Sequence, residues 1–414
     1  MTEGARVTGN DGDLGNDVMQ GLSGFIDREV VPLEEKHREH LDDPAWAYGP
    51  NGGYSEALQE LMRTVRMKSA AAGYYPVLCP TDIGGGGLGP VANVSLWEFI
   101  YHRYGPGRVL PYQSLAHWTS GPSFLFGEMT PRLREQVLDR ILNGEATTCF
   151  AMSEPEAGSD AWSMTTRAVR DGDCFVLNGT KQWISNSPYA KFATVFAVTD
   201  EELRRDRKGG ISCFLVPTDA PGFSIDSVIK LFGHAGGNEA IISFRDVRVP
   251  ADSVIGRLNH GFELALSGVS LGRMYNAGRC VGLARWALEQ ATAYARERRT
   301  FGRPIADYQG VSFMLADSAM DIYATKSMAL DCARRLEQGE LPLRDMAILK
   351  AYSTEMCFQV FDRCMQVLGG MGLTNEARLY DGWHQARSIR VADGSGEIMR
   401  RNIASRLLKG EIQF

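Results

Sequence analysis

No C-x-x-C pair and no metal-like spacing connects the eight cysteines of this 414-residue chain, which stand at Cys79, Cys149, Cys174, Cys213, Cys280, Cys332, Cys357 and Cys364. In so long a sequence that scatter reads as reduced, buried thiols. It excludes a disulfide framework and a zinc or other metal site, and it points to a cytoplasmic setting. Long apolar runs are missing as well. The longest, near Phe192 to Val198, is far too short to cross a bilayer, so no membrane span is expected. Met1 to Asp17 is rich in Gly, Asn and Asp and has no apolar stretch, from which we expect no secretory signal and a flexible tail over residues 1–17. Positive charge is not in excess either. A formal net charge of -6 and a pI near 5.8 leave no general basic field for a polyanion, which argues against nucleic acid as a main partner. Internal repeats and low-complexity linkers are absent too.

What remains is the composition of an ordinary folded protein, 44% hydrophobic and 23% charged, long enough for two or three packed units. From Val18 to about Leu142 apolar residues recur three and four apart, as in Leu58, Leu61, Met62 and Val65 and again in Leu133, Val137 and Ile141. This predicts an N-terminal helical domain over 18–148. The glycine run between Pro80 and Pro90 has no βαβ unit around it and no Lys-Ser/Thr after it, so it reads as an interhelical loop rather than a phosphate cradle. At Thr147 the texture changes to short strands, and Asn178-Gly179 stands out as a hairpin turn because both residues tolerate positive φ. A middle β domain is predicted over 149–255. Helical spacing then returns, with Leu283, Ala287, Ala291 and Tyr294 on one face, Phe313, Ala316, Met320 and Tyr323 on a second helix, and Met346 to Leu368 as a third. The fold class predicted is α+β, mainly α: N-terminal helices, a central β-barrel or sandwich, and a C-terminal four-helix bundle over 256–414.

Two segments carry the chemistry. The first runs Phe150-Ala151-Met152-Ser153-Glu154-Pro155-Glu156-Ala157-Gly158-Ser159-Asp160, and the second Lys181-Gln182-Trp183-Ile184-Ser185. Alone, Trp183 would read as a core aromatic and Ser153 as a turn cap. Together, at this separation, they resemble the flavin cradle of the acyl-CoA dehydrogenase family. The resemblance implies FAD as cofactor, with Phe150, Met152 and Ser153 lining the ring, Trp183 packing against it and Ser185 reaching its central nitrogen. It implies that Ser159 lies beside the pantetheine of the substrate or the phosphate arm of the flavin.

A second block, Arg296-Glu297-Arg298-Arg299-Thr300-Phe301-Gly302-Arg303-Pro304-Ile305, closes a predicted helix and precedes Tyr308-Gln309. Cations and a hydroxyl at a helix end can hold a pyrophosphate, although such a run is also a common solvated helix end. By resemblance, Arg298, Thr300, Phe301 and Gln309 bind FAD across a subunit interface. A third block, Gln366-Val367-Leu368-Gly369-Gly370, is similar to the family's turn on the ADP half of FAD and assigns Gln366, Gly369 and Gly370 to it; a glycine-ended helix explains it equally well in isolation.

The loop Ala392-Asp393-Gly394-Ser395-Gly396-Glu397 departs from the common family pattern, in which a Glu removes the α-proton of the thioester. The register set by Arg387, Ile398 and Arg400 puts Asp393 in that place, as in two subgroups of the superfamily. One comprises acyl-CoA dehydrogenases with an Ala-Asp-Gly loop, the other nitroalkane-oxidising flavoenzymes. A carboxylate in an apolar pocket gains a pKa nearer neutrality and becomes a competent base. It is one methylene shorter than Glu, so the pocket is expected to be reshaped to let it reach; the plain alternative is that Asp393 caps the last helix. By the same match, Gly394 contacts substrate, Ser395 contacts the flavin and Arg273 stands near the mouth of the site. Gly272, at the place where some branched-chain members carry their base, cannot supply one. In Phe232 to Glu239 an Arg and a hydroxyl usual in the family are missing, which leaves the thiol carrier, CoA or a carrier protein, open.

The resemblance therefore implies an FAD-dependent acyl-CoA dehydrogenase that forms a trans-2-enoyl thioester, with the amide of Asp393 and a flavin ribityl hydroxyl polarising the thioester oxygen. It further implies a homotetramer, built as a dimer of dimers, that delivers electrons to an electron-transfer flavoprotein. The competing readings are a nitroalkane-oxidase-type enzyme with the same base, a non-catalytic family member and a partner subunit of a heteromeric dehydrogenase.

Overall fold

The computed structural model describes residues 11–231 and 236–410. Helices α1 (Asp11–Phe25), α2 (Val31–Lys36), α3 (Arg38–Leu41), α4 (Pro44–Ala47), α5 (Glu56–Ala71), α6 (Pro90–Tyr104) and α7 (Pro131–Leu142) precede the first strand. Helix α1 begins at Asp11, so part of the stretch expected to be a flexible tail is helical. The Pro80–Pro90 glycines form the loop between α5 and α6. They are there for close backbone packing: a Cβ on Gly85 would stand 2.2 Å from the carbonyl oxygen of Cys79.

Eight strands follow in one sheet: β1 (Thr148–Ala151), β2 (Arg167–Asp171), β3 (Cys174–Ser185), β4 (Phe192–Val198), β5 (Ile211–Pro217), β6 (Phe223–Ile229), β7 (Glu239–Pro250) and β8 (Val254–Ile255). The order is β6-β7-β3-β2-β4-β5-β8, with β1 parallel to β4. The hairpin expected at Asn178-Gly179 is not there, because β3 runs straight through both residues. Asn178 instead exchanges two 3.0 Å hydrogen bonds with Asp246 across a bulge, and Gly179 is required because a Cβ would meet the Thr166 hydroxyl at 2.4 Å. The tight turn lies upstream at Gly172-Asp173, where Asp171 pairs with Cys174 and Gly172 has φ 61°.

The chain then forms α8 (Glu201–Arg205) within the sheet region and, after it, α9 (Gly261–Glu297), α10 (Gln309–Glu337), α11 (Leu343–Leu368), α12 (Leu379–Ile389) and α13 (Gly396–Leu408). The 37-residue α9 is the spine of the molecule. Its Leu283, Ala287 and Ala291, all fully buried, share one core with Leu22 of α1, Leu96 and Ile100 of α6, and Val360 and Phe361 of α11. The N-terminal and C-terminal helices are thus packed as one body beside the sheet. On α10 the stripe expected to face a core points outward: Phe313 is 59%, Met320 62% and Tyr323 77% exposed, while Ile322, Ala329 and Cys332 take the inner face. Periodicity located the helix and misjudged which side the rest of this chain covers.

Helices α6 and α9 touch backbone to backbone. A Cβ on Gly278 would lie 2.4 Å from the Val94 carbonyl oxygen, and one on Gly282 2.4 Å from that of Glu98. In an ordinary helix interior Gly→Ala stabilises by about 1 kcal/mol. Here Gly278→Ala and Gly282→Ala should each destabilise by about 1–3 kcal/mol by overpacking. The urea midpoint of the holoprotein checks the sign, and a rise would mean that the two helix backbones leave room for a methyl group there.

Candidate active site

The turn between α12 and α13 is built so that one carboxylate is left over. The amide of Ala392 still reaches back to Ser388 at 3.3 Å, after which Asp393 (φ 55°) and Gly394 (φ 89°) enter the left-handed region, one that Asp tolerates better than most side chains. The cap of α13 is Ser395, whose Oγ accepts from the Ile398 amide at 3.4 Å. Asp393 is therefore not the cap, and Ser395, expected on the cofactor, occupies that role here. The carboxylate of Asp393 turns to α9, where Asn276 Nδ2 donates to its Oδ2 at 2.7 Å.

Burial pushes the Asp393 carboxyl above the ordinary aspartate range. The Asn276 hydrogen bond and the charges of Lys350, Arg273 and Arg279 pull the other way without overcoming it. Lys350 of α11 is wholly buried, which brings its ammonium down to about 8 even with Asp393 nearby, and its Nζ donates to the Arg390 carbonyl at 3.4 Å. Gly272 faces the indole of Trp118, with space so short that a Cβ would come within 2.9 Å of Nε1. A base at position 272 would have to displace that ring.

Asp393 and Asn276 open into a cavity of about 510 Å³ that also reaches Ser185. Of the residues matched to the flavin cradle, Ser185 lines this cavity, and its Oγ donates to Glu239 at 3.2 Å. Trp183 sits on an irregularity of β3 between Lys181 and Ile184, with φ 64° and 54% of its surface exposed, so it is a presented aromatic and not a core one. The carbonyl of Ser153 accepts from the Gln182 amide at 2.9 Å, which ties the turn after β1 to β3. Phe150 is different: its ring packs 5.1 Å from Trp118 and 4.8 Å from Phe196, among the core side chains. Met152 packs partly against the same core, and Ser159 is exposed.

The turn is fixed by a buried ion pair. Lys181 Nζ donates to Glu154 Oε1 and to the Met152 carbonyl, both at 2.9 Å. Glu154 further accepts from the Thr165 amide (2.7 Å), the Thr165 hydroxyl (2.9 Å) and the Thr166 amide (2.9 Å). Burial alone would raise the Glu154 carboxyl, but the ammonium and these donors hold it down at about 2.

The other cofactor candidates lie on the outside of the chain. Arg298, Phe301 and Gln309 are exposed around a two-stranded turn formed by β9 (Arg299–Thr300) and β10 (Arg303–Pro304), with Phe301 94% exposed and the Thr300 carbonyl accepting from Tyr308. Gln366, Gly369 and Gly370 are exposed at the end of α11. Neither group borders the cavity of Asp393. Arg273 does not line it either, though its charge acts on Asp393; Gly394 is partly buried beside Met399. Residues 232–235 of the loop lacking the usual Arg lie outside the described residues.

The family model described as "Acyl-CoA dehydrogenase, C-terminal domain" matches residues 259–408, and "Acyl-CoA dehydrogenase, middle domain" matches 149–247. The chain is 32% identical over 392 residues to the probable acyl-CoA dehydrogenase YngJ of Bacillus subtilis, covering 95% of this chain and 97% of that one. This chain belongs to the acyl-CoA dehydrogenase family. It is 31% identical over 352 residues to the caffeyl-CoA reductase-Etf complex subunit CarC of Acetobacterium woodii, covering 84% of this chain and 91% of that one. Among solved structures, a putative acyl-CoA dehydrogenase from Mycobacterium abscessus superimposes over the whole of both chains with a TM-score of 0.83 at 29% identity.

As an acyl-CoA dehydrogenase the protein is an FAD oxidoreductase. A presented Trp183, a turn pinned between β1 and β3, and Ser185 on the edge of the cavity suit a flat ring with a polar rim. Sequence reading missed Asn276, Arg279, Lys350 and His117, the last of which also lines the cavity. For the first two a signal existed: Arg273, Asn276 and Arg279 recur every three residues in an otherwise small and apolar stretch of α9, which puts polar groups on one buried face.

Proposed function

We propose that the protein removes the α-proton of an acyl-CoA thioester with Asp393 and yields the trans-2-enoyl thioester. Bound FAD supplies the acceptor for the β-hydride. The observation that carries this reading is the cavity-facing carboxylate of Asp393, clamped by Asn276 and made more basic by burial. In the reaction Asp393 takes the proton at its carboxylate, and its amide is one donor to the thioester oxygen. Trp183, Ser153 and Ser185 hold the ring, with Phe150 and Met152 acting from behind as packing. The exposed group Arg298, Thr300, Phe301 and Gln309, with Gln366, Gly369 and Gly370, is assigned to the FAD of a neighbouring subunit. The outward stripe Phe313, Met320 and Tyr323 supports a homotetramer that buries it. An electron-transfer flavoprotein is the proposed acceptor, in line with the Etf complex in CarC's name. That name also says reductase, and the same groups run backwards would protonate the α-carbon of an enoyl thioester.

Anaerobic titration of the yellow protein with acyl-CoAs tests the reading. Bleaching of the flavin by a thioester is the expected result, and a spectrum unmoved by any thioester would sink it. The rate of bleaching should rise with pH as Asp393 ionises. Asn276 stabilises the charged form, so in Asn276→Leu the rising limb should move to higher pH; an unmoved limb would show that Asp393 is not the titrating group.

A further inference from the structure

The far end of the active-site cavity is not the apolar sleeve that a simple fatty acyl chain asks for. One turn beyond Asn276 on the same face of α9, Arg279 lines the cavity. Its guanidinium lies 5.2 Å over the ring of Tyr101 and donates through Nη2 to Gln385 Oε1 at 2.8 Å. Gln385 is neutral, and its own amide is directed to the Pro106 carbonyl at 3.3 Å. The Nε of Arg279 is buried with no hydrogen-bond partner, and among the described residues no carboxylate forms an ion pair with it. The neighbours are aromatic. Tyr101 stacks on Tyr112 at 4.5 Å and shares a 2.9 Å hydrogen bond with Tyr275, and His117 meets the Tyr275 ring edge-on at 4.4 Å.

A guanidinium in such a place is costly unless an anion joins it, and its planar fork is shaped for a carboxylate. The cavity's other arginine, Arg66, is bonded to Gln113 and to the Gly144 carbonyl. Arg279 also acts electrostatically on Asp393, which keeps it within reach of an acyl group bound at the base. Asn276, which holds Asp393, and Arg279 stand one helical turn apart on α9, so an acyl chain that runs from the base to the guanidinium is short.

Resting on the proposed function above, we infer that the acyl group carries a carboxylate at its far end and that Arg279 receives it. The substrate class is then the monothioester of a short dicarboxylic acid. Arg279 acts by binding and orientation and takes no part in the proton or hydride transfer.

The test compares the holoenzyme and Arg279→Met with two CoA thioesters of equal chain length, glutaryl-CoA and pentanoyl-CoA, by anaerobic flavin bleaching and steady-state kinetics. The wild type should favour glutaryl-CoA at least about tenfold in kcat/KM, because truncating a charged partner in a buried site is worth that much or more. Arg279→Met should lose about a hundredfold towards glutaryl-CoA, chiefly through KM, and hold or gain towards pentanoyl-CoA, with Arg279→Lys in between. The wild-type preference is read without any substitution, so a variant that fails to fold does not blunt the test. Equal bleaching by both thioesters, or by pentanoyl-CoA alone, overturns the carboxylate assignment and leaves the dehydrogenase intact. Bleaching by neither, nor by any other thioester, overturns the function on which the assignment rests.

Discussion

Asp393→Asn should give a yellow protein that thioesters no longer bleach. The substitution keeps the shape and the hydrogen-bonding reach of the side chain and removes its capacity to accept a proton at the working pH. General-base catalysis contributes about 10²–10⁴-fold, so flavin reduction should slow by that order while FAD stays bound. Unfolding can be separated from chemistry by the sign of the stability change. The folded protein raises the pKa of Asp393 above its ordinary 3.8, so the group favours folding below that value and loses its contribution as pH rises through the raised one. Wherever the carboxylate is charged it therefore works against the fold, and the Asn variant should melt no lower than the wild type. A variant that keeps its turnover removes Asp393 from the reaction; one that melts early shows that the loop, not the base, was damaged.

Lys181→Met should destabilise the fold more than Gly278→Ala or Gly282→Ala. It leaves Glu154 buried among amide and hydroxyl donors with no cation, and breaking one side of a buried pair destabilises by about 3–5 kcal/mol. The damage falls on the turn that presents Ser153, because Lys181 also holds the Met152 carbonyl. The purified variant should accordingly be depleted of FAD as well as less stable. Replacing both partners, Lys181→Met with Glu154→Gln, should recover part of the loss because no buried charge remains. The pH dependence has a definite sign. Glu154 sits near 2 in the fold against an ordinary 4.5, so its contribution is complete above about pH 4.5 and disappears as pH falls towards 2. Acid unfolding of the wild type should be steeper than that of the double variant. A Lys181→Met protein with full flavin content and unchanged stability would show that the turn holds itself.

Much of the architecture could be read without coordinates because its cause is local. Leu283, Ala287 and Ala291 repeat at helical spacing and are buried, and the short β segments between Thr148 and Ile255 are bounded by Gly, Pro and Asp. Where the cause is distant, the reading failed. Asn178-Gly179 has the chemistry of a hairpin, yet its partner is Asp246, 68 residues on, and the glycine answers to Thr166. The apolar stripe of α10 was correctly periodic, but a stripe cannot say whether its cover comes from the same chain. At the site, Asp393 could be located only by its resemblance to the family pattern. That its cap role passes to Ser395, and that Asn276, Lys350, Arg273 and Arg279 converge on it from α9 and α11, depends on how three helices pack.

The crossing of α6 and α9 bears on how this enzyme can change over evolutionary time. Gly278 falls between Asn276 and Arg279, so the residue that lets two helices touch lies within two positions of the one that holds the base and the one proposed to receive the acyl carboxylate. Few mutational steps along this stretch of α9 alter the acyl end while sparing the crossing. Drift towards new substrates is therefore channelled to elements that only border the cavity, such as Gln385 on α12 and Tyr112 between α6 and α7, where one substitution can retune recognition without loosening the spine.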